Sequence, residues 1–180
     1  MTFTETPLKG AFVINTVPFE DNRGWFSRTF CKEEFEKQGL CSEFVQHNSS
    51  YNIHKGTIRG LHYQLAPYEE IKVVKCTRGK ILDVIVDLRE NSETYLQWFS
   101  IELTDENGRM IYVPEGFAHG FQTLCDNTDV FYLMSEFYRK GFDAGIRWND
   151  EVLGINWPIL DEIIISEKDK FLRNLPKRNL

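Results

Sequence analysis

Two of the four histidines sit in surroundings that suit proton chemistry. Arg59-Gly60-Leu61-His62-Tyr63-Gln64 places a cation, a flexible glycine and an imidazole side by side. Gly108 to His119 follows a G-x5-P-x-G-x2-H form, in which a tight turn, a strand and a Pro/Gly corner aim a histidine inward. An imidazole changes charge near neutral pH, so either His62 or His119 suits general acid or base work, and either could also ligate a metal. An H-x-H pair is broken here because the position two after His62 is Gln64, and a two-histidine site from His62 and His119 lacks an evident carboxylate partner. No metal is therefore expected. His119 reads as a pocket wall or a core histidine, and the corner that carries it favours the wall.

Such residues must be held by the elements around them, and those read as strands. Gly, Asn and Asp punctuate the chain at Asp21–Gly24, Arg78–Lys80, Glu90–Ser92, Asp105–Gly108, Glu115–Gly116 and Asp126–Asn127, with short aromatic or β-branched runs between. The clearest runs are Ile71–Cys76, Lys80–Leu88, Trp98–Leu103, Arg109–Val113 and Val130–Phe137. Lys80–Leu88 is too apolar to alternate, which predicts a strand buried between two sheets. Helices are minor. Lys32–Gln38 predicts a short surface helix anchored by Phe35 and stopped by Gly39, and Ser166-Glu167-Lys168-Asp169 has the shape of a weak capping box opening a last helix through Leu172. Many short strands predict an all-β sandwich or barrel. The G-x5-P-x-G-x2-H stretch also resembles the second motif of the cupin superfamily, which implies a double-stranded β-helix, the cupin jelly roll, with short peripheral helices.

Composition bounds the rest. The 180 residues, 42% hydrophobic and 27% charged, fit a single domain over 1–180 with one core. No run approaches the length of a membrane span, and the opening Met1-Thr2-Phe3-Thr4-Glu5 lacks the basic region and apolar core of a signal peptide, so a cytoplasmic protein is expected. A net charge of −6 argues against nucleic-acid or membrane partners, so any anionic ligand must be gripped locally. Cys31, Cys41, Cys76 and Cys125 share no C-x-x-C spacing and read as reduced packing residues. Aromatic side chains make up 14%, ample for a β core or for stacking on a flat ligand.

A further set of phrases runs in order along nearly the whole chain: Asp21-Asn22-Arg23-Gly24-Trp25-Phe26, Phe44-Val45-Gln46-His47-Asn48, Gly56–Gln64, Lys72–Gly79, Asp83–Arg89, Val113–Phe121 and Trp148-Asn149-Asp150. Together they resemble the dTDP-4-dehydrorhamnose 3,5-epimerase family. That resemblance implies a cofactor-free, metal-free epimerase of nucleotide-linked 4-keto-6-deoxy sugars, usually a homodimer, on the route to L-rhamnose.

The chemistry so implied asks for three groups. A C–H beside a ketone is a weak acid, and inversion requires a base on one face, an acid on the other and stabilisation of the enolate oxygen. The resemblance makes His62 the base, Asp169 the carboxylate that pairs with it, Tyr132 the proton donor to the opposite face and Lys72 the cation near the keto oxygen. From local sequence alone Asp169 reads equally as a helix cap, Tyr132 as an ordinary strand aromatic and Lys72 as a solvated edge lysine. Arg59 suits a pyrophosphate, whose geometry matches a guanidinium fork. Arg23, Gln46, His47, Asn48, His119, Asp143 and Lys168 fall on positions that bind the nucleotide sugar in the family, and Tyr138 and Phe26 are candidates for stacking or lining.

The pattern departs from the family in places. Arg28 stands where members on the rhamnose route commonly have Glu, and a guanidinium can only donate where a carboxylate accepts, which bears on recognition of the nucleotide. His47 stands where Asp or Ser is common, and Met134–Tyr138 differs from the usual small, polar run. Relatives that invert C3 alone or C5 alone, or that take CDP- or GDP-linked keto sugars, share the same base and acid. A metal-dependent cupin enzyme and a non-catalytic sugar-binding jelly roll are the readings from other classes. A homodimer is expected, with the Arg23–Phe30 strand as the segment exchanged across the two-fold axis.

Overall fold

The computed structural model describes residues 1–176. In chain order the strands are β1 (Thr2–Glu5), β2 (Phe12–Asn15), β3 (Phe19–Asp21) and β4 (Gly24–Phe26), followed by α1 (Lys32–Lys37). Then come β5 (Gln46–Asn52), β6 (Thr57–Gln64), β7 (Lys72–Arg78), β8 (Lys80–Asp87), β9 (Trp98–Thr104), β10 (Met110–Val113), β11 (Phe117–Thr123) and β12 (Thr128–Met134). The chain closes with β13 (Asp143–Gly145), β14 (Ile164–Ile165) and the one-turn α2 (Glu167–Lys170). Two sheets face each other, one ordered β1-β2-β10-β7-β12-β5 and the other β13-β6-β11-β8-β9, with β14 added parallel to β6. This is the all-β architecture that the short, punctuated runs predict, in the jelly-roll form that the cupin-like motif implies.

The core lies in three layers. Between the sheets sit Val74, Cys76, Ile81, Ile85, Leu103, Ile111, Phe121 and Val130. On the outer face of the first sheet, α1 packs over Val73, Met110, Tyr112 and Leu133 together with Phe3 of β1 and Ile14 of β2, and Phe35 is fully buried as the anchor of its helix. Outside the second sheet, the segment from Trp148 to Ile165 lays Leu153 and Trp157 over Ile58, Leu61, Val84, Val86 and Ala118. That third layer refines the reading of β8. It is apolar on both faces, but only one face meets the opposite sheet, and the other is buried under the C-terminal segment.

Element ends differ from the sequence reading in two places that matter. β12 stops at Met134 rather than Phe137, because the Ser135 N–H and hydroxyl are taken by Ile71 and the chain then turns out to an exposed Phe137. β4 spans only Gly24–Phe26 rather than Arg23–Phe30, and it pairs solely with β3 in a two-stranded ribbon. That ribbon leaves Phe19 73%, Trp25 60% and Phe26 74% exposed.

One irregularity positions the site. β11 pairs with β6 through His119↔His62 and Phe121↔Arg59, so β6 carries one residue more than β11 over the same span. This is a β-bulge at Gly60–Leu61. On a regular strand Arg59 and His62, three apart, would face opposite sides; the bulge turns both into one cavity while Leu61 points into the outer layer. Gly60 has φ of +113°, and an added Cβ would lie 2.7 Å from the His119 carbonyl and 2.8 Å from Gly120 Cα. Glycine is therefore required at this point.

Candidate active site

A cavity of about 260 Å³ opens between the two sheets, lined by Asn48, Ser50, Arg59, His62, Lys72, His119, Phe121, Tyr132 and Met134. A larger cleft of about 690 Å³ lies elsewhere, along the loop after β8. Its guanidinium, Arg89, is already committed to Asp87 and the Lys9 carbonyl, and none of the paired histidines reaches it. Both of those histidines, with Tyr132 and Lys72, line the smaller cavity.

Strand parity explains its composition. On the first sheet Lys72 and Val74 of β7, Tyr132 and Met134 of β12 and Asn48 and Ser50 of β5 are register partners or two residues apart, so they share the inward face. On the second sheet His62 and His119 are direct cross-strand partners. His62 and Tyr132 thus enter the same cavity from opposing sheets.

His62 is held by Asp169. The His62 Nε2 lies 2.8 Å from Asp169 Oδ1, and Asp169 Oδ2 accepts from the Gly60 N–H at 3.1 Å. The carboxylate is buried, whereas the His62 side chain is 41% exposed to the cavity. Burial alone would push the Asp169 carboxyl up, but the bonds from His62 and Gly60 outweigh it and hold it below its ordinary value. With Asp169 accepting from Nε2–H, the free lone pair of a neutral His62 falls on Nδ1. The helix-cap reading of Asp169 is resolved by backbone and side chain acting separately. Ser166 Oγ caps α2 by accepting from the Asp169 N–H, and the Asp169 carboxylate leaves the helix for β6.

Tyr132 sits deep, its hydroxyl 3.4 Å from Ser50 Oγ and its ring edge-on to His119 at 6.1 Å. Burial pushes its phenol up, with Asp83 reinforcing that shift and Ser50 and Arg59 opposing it, so Tyr132 holds its proton at any physiological pH. His119 is itself anchored, its Nε2 2.7 Å from Asp83 Oδ2 in a fully buried pair. The other Asp83 oxygen is buried without a protein hydrogen-bond partner.

Lys72 is not an edge lysine. β7 lies between β10 and β12, and the Lys72 ammonium is 2.9 Å from Glu70 Oε1 and donates to the His62 carbonyl at 3.3 Å. Arg59 is fixed by Asn52, whose Oδ1 accepts from Nε at 2.7 Å, and by the Tyr51 carbonyl.

A second cluster joins β13, which pairs with β6, to α2 and to the loop after β12. Tyr138 donates through its hydroxyl to Asp143 Oδ1, Lys168 donates to Asp143 Oδ2 at 2.7 Å, and Gln46 accepts from the Tyr138 N–H. Lys168 beside Asp143 pulls its carboxyl down to about 2, with Gly141 and Tyr138 adding to the effect.

Four predicted residues, His47, Arg23, Phe26 and Arg28, stand apart from the cavity in the single chain, Phe26 on the exposed β3–β4 ribbon. His47 follows Gln46 and so faces the other side of β5, against Phe131 on the outer face of the first sheet. Arg23 is paired with Asp21 at the tip of the β3–β4 ribbon, and Arg28 donates to Glu34 of α1. Gln64, two after His62, turns away to the Tyr68 and Phe137 carbonyls. His62 and His119 each hold a single carboxylate, and among the described residues no three His, Cys, Asp or Glu side chains gather as a metal-binding group.

Sequence reasoning passed over Asp83, Glu70, Ser50 and Asn52. Asp83 carried a signal, since a carboxylate at a core-facing position of an apolar strand demands a buried partner. Glu70 carried none, because its pairing depends on the turn that precedes β7.

A jelly roll with a carboxylate-held imidazole on one wall and a protonated phenol on the other defines an acid–base enzyme of the cupin type. The comparisons narrow it. Residues 5–177 match the family described as dTDP-4-dehydrorhamnose 3,5-epimerase. A dTDP-4-dehydrorhamnose 3,5-epimerase of Methanothermobacter thermautotrophicus is 45% identical over 170 residues, 93% of this chain and 91% of the relative. The crystal structure of a Bacillus anthracis enzyme of that name, with TDP and PPi bound, superposes with a TM-score of 0.94 at 42% identity, covering 97% of this chain and 99% of the other. A dTDP-6-deoxy-D-glucose-3,5-epimerase from Legionella pneumophila in complex with dTDP-4-keto-L-rhamnose gives 0.91 at 33% identity, covering 96% and 92%. The chain belongs to the dTDP-4-dehydrorhamnose 3,5-epimerase family.

Proposed function

We propose that the protein inverts C3 and C5 of dTDP-4-dehydro-6-deoxy-D-glucose to give dTDP-4-dehydro-L-rhamnose. His62 Nδ1 removes the proton α to the C4 ketone, the negative charge passes to the keto oxygen beside the Lys72 ammonium, and Tyr132 delivers its proton to the other face of the same carbon. The imidazolium and the tyrosinate then exchange with solvent, and the sequence repeats at the second centre. The observation that carries this reading is the entry of His62 and Tyr132 into one cavity from opposing sheets, because a base and an acid on the same wall could exchange a proton but not invert a centre.

The remaining site residues serve binding in this reading. Arg59, held in place by Asn52, suits the pyrophosphate, His119 and Asn48 the sugar, and the cluster of Gln46, Tyr138, Asp143 and Lys168 the nucleotide. The exposed β3–β4 ribbon supports a homodimer in which Arg23 and Phe26, with Arg28 and His47 nearby, meet a second copy. No helix among the described residues is long and apolar enough to cross a membrane, and the enzyme is proposed to act in the cytoplasm.

The test is proton NMR of the dTDP-linked keto sugar with the protein in deuterated water. Deuterium at C3 and C5 is expected, together with the signals of the L-configured product. Deuterium at one centre only would replace the reading with a mono-epimerase, and an inert substrate would remove it.

A further inference from the structure

We infer that Glu70 is the positioning residue of Lys72, and that through it the enolate-stabilising cation is set in place before substrate arrives. The inference rests on the epimerase reading above.

Lys72 and Glu70 are among the least exposed charged side chains in the molecule, at 8% and 9%, and they meet at 2.9 Å. Neither belongs to a solvated surface pair. An ammonium has three donors and no acceptor. On one side it gives a hydrogen bond to the carbonyl of His62, the residue that carries the base, and on another it is held against Glu70 Oε1. The open direction that remains is the cavity, which Lys72 lines. Glu70 lies two residues before Lys72, in the turn that leads into β7, and the Ile71 N–H between them is fixed by Ser135 Oγ at 2.8 Å. The carboxylate therefore stands on a tied-down backbone rather than on a loose loop.

Two consequences follow. A flexible four-carbon stem is immobilised in one geometry, so the keto oxygen meets a cation that needs no rearrangement when charge develops. The link to the His62 carbonyl also spans the two sheets, since His62 is on β6 and Lys72 on β7, and so fixes the cation relative to the base. Without Glu70 the ammonium would keep one tether and swing away from the position where the enolate oxygen forms.

The role belongs to the position of the carboxylate oxygen, which the variants separate from charge. Glu70→Ala is expected to lower kcat and the rate of solvent deuterium incorporation together by about 10- to 100-fold, the range for losing a group that orients a functional side chain and less than the ~10²- to 10³-fold of removing an oxyanion donor outright. Its affinity for dTDP, which engages neither the keto oxygen nor Lys72, should stay within about twofold of wild type. Glu70→Gln retains an oxygen at the same reach and should recover most of the rate, whereas Glu70→Asp, folded and charged but one methylene short, should stay slow. Glu70→Ala exchanging deuterium at the wild-type rate would overturn the inference, as would Glu70→Gln remaining as slow as Glu70→Ala, or dTDP affinity falling in step with kcat. If Glu70→Ala does not fold, the Gln and Asp pair decides alone: the reverse order of rates refutes the positional role. Wild-type protein that exchanges no deuterium removes the epimerase reading and this inference with it, whereas wild-type exchange undiminished in Glu70→Ala removes only the inference.

Discussion

Asp169 Oδ1 lies 2.8 Å from His62 Nε2, while the other oxygen of the same carboxylate accepts from the Gly60 N–H on the bulge that aims His62 inward. One side chain thus fixes both the backbone that points the imidazole and the ring nitrogen that carries its proton. The one-turn helix α2 exists to deliver it, with Ser166 satisfying the Asp169 N–H so that the carboxylate is free to leave.

Asp169→Asn separates these roles. An amide oxygen can still accept from Gly60, so the bulge should persist and dTDP affinity should hold. The tautomer and the imidazolium lose their anionic support, and solvent deuterium incorporation should fall by about 10²- to 10⁴-fold, the usual contribution of general base catalysis. Incorporation at the wild-type rate would show that Asp169 is a structural clasp alone.

Tyr132→Phe should act on the other half of the reaction. The ring keeps its edge contact with His119, and His62, the proposed base, is untouched. Deuterium should still wash into the substrate from the His62 face, while net inversion, followed by the appearance of L-configured product, falls by about 10²-fold or more. Equal loss of exchange and inversion would place Tyr132 in binding instead.

Much of this was legible in the residues. The Gly/Asn/Asp punctuation fell where strands end, and the Pro114–Gly116 corner aimed His119 into the cavity as its spacing implied. Arg59 and His62 read as neighbours at one mouth, although three-residue spacing on a plain strand denies it; the bulge that reconciles them is encoded only as a glycine. The layer from Trp148 to Ile165 could not be seen, because its Leu153 and Trp157 have no period of their own and are ordered by the sheet they cover. His47 illustrates the limit of motif transfer. It sits inside Gln46-His47-Asn48, yet strand alternation sends it to the face opposite its two neighbours, against Phe131 and away from the cavity that holds His62.

Gly60→Ala should be among the most damaging single changes outside the site chemistry. The residue has φ of +113°, where an L side chain is strained, and the new Cβ would meet backbone atoms of His119 and Gly120 that cannot rotate away. A loss of about 3 kcal/mol or more is expected in urea unfolding, by analogy with overpacking and backbone strain elsewhere. Because β6 would be pushed off β11, exchange should fall as well. Gly24→Ala, whose Cβ meets nothing within 4 Å on the exposed ribbon, should be far milder despite its own positive φ.

Acid sensitivity should reside in Asp87 rather than in the carboxylates around the His62 cavity. Burial alone would raise its carboxyl, but hydrogen bonds from Arg89, Ser92 and Thr94 outweigh it and pull the value from 3.8 down to about 2. A group depressed in the folded state contributes its full stability above its unfolded value and loses it as pH falls through the folded one. Asp87 is completely buried and pins the loop from Leu88 to Gln97, so the term is on the order of 2 kcal/mol. Thermal unfolding should therefore be nearly flat from pH 7 to about pH 5 and decline between about pH 4 and pH 2. Asp87→Asn should be less stable than wild type at neutral pH and should show a shallower decline over that acid window. A variant whose melting temperature tracks wild type in parallel through the window would move the acid-labile group elsewhere, to Asp143 or Asp169, which are depressed in the same direction.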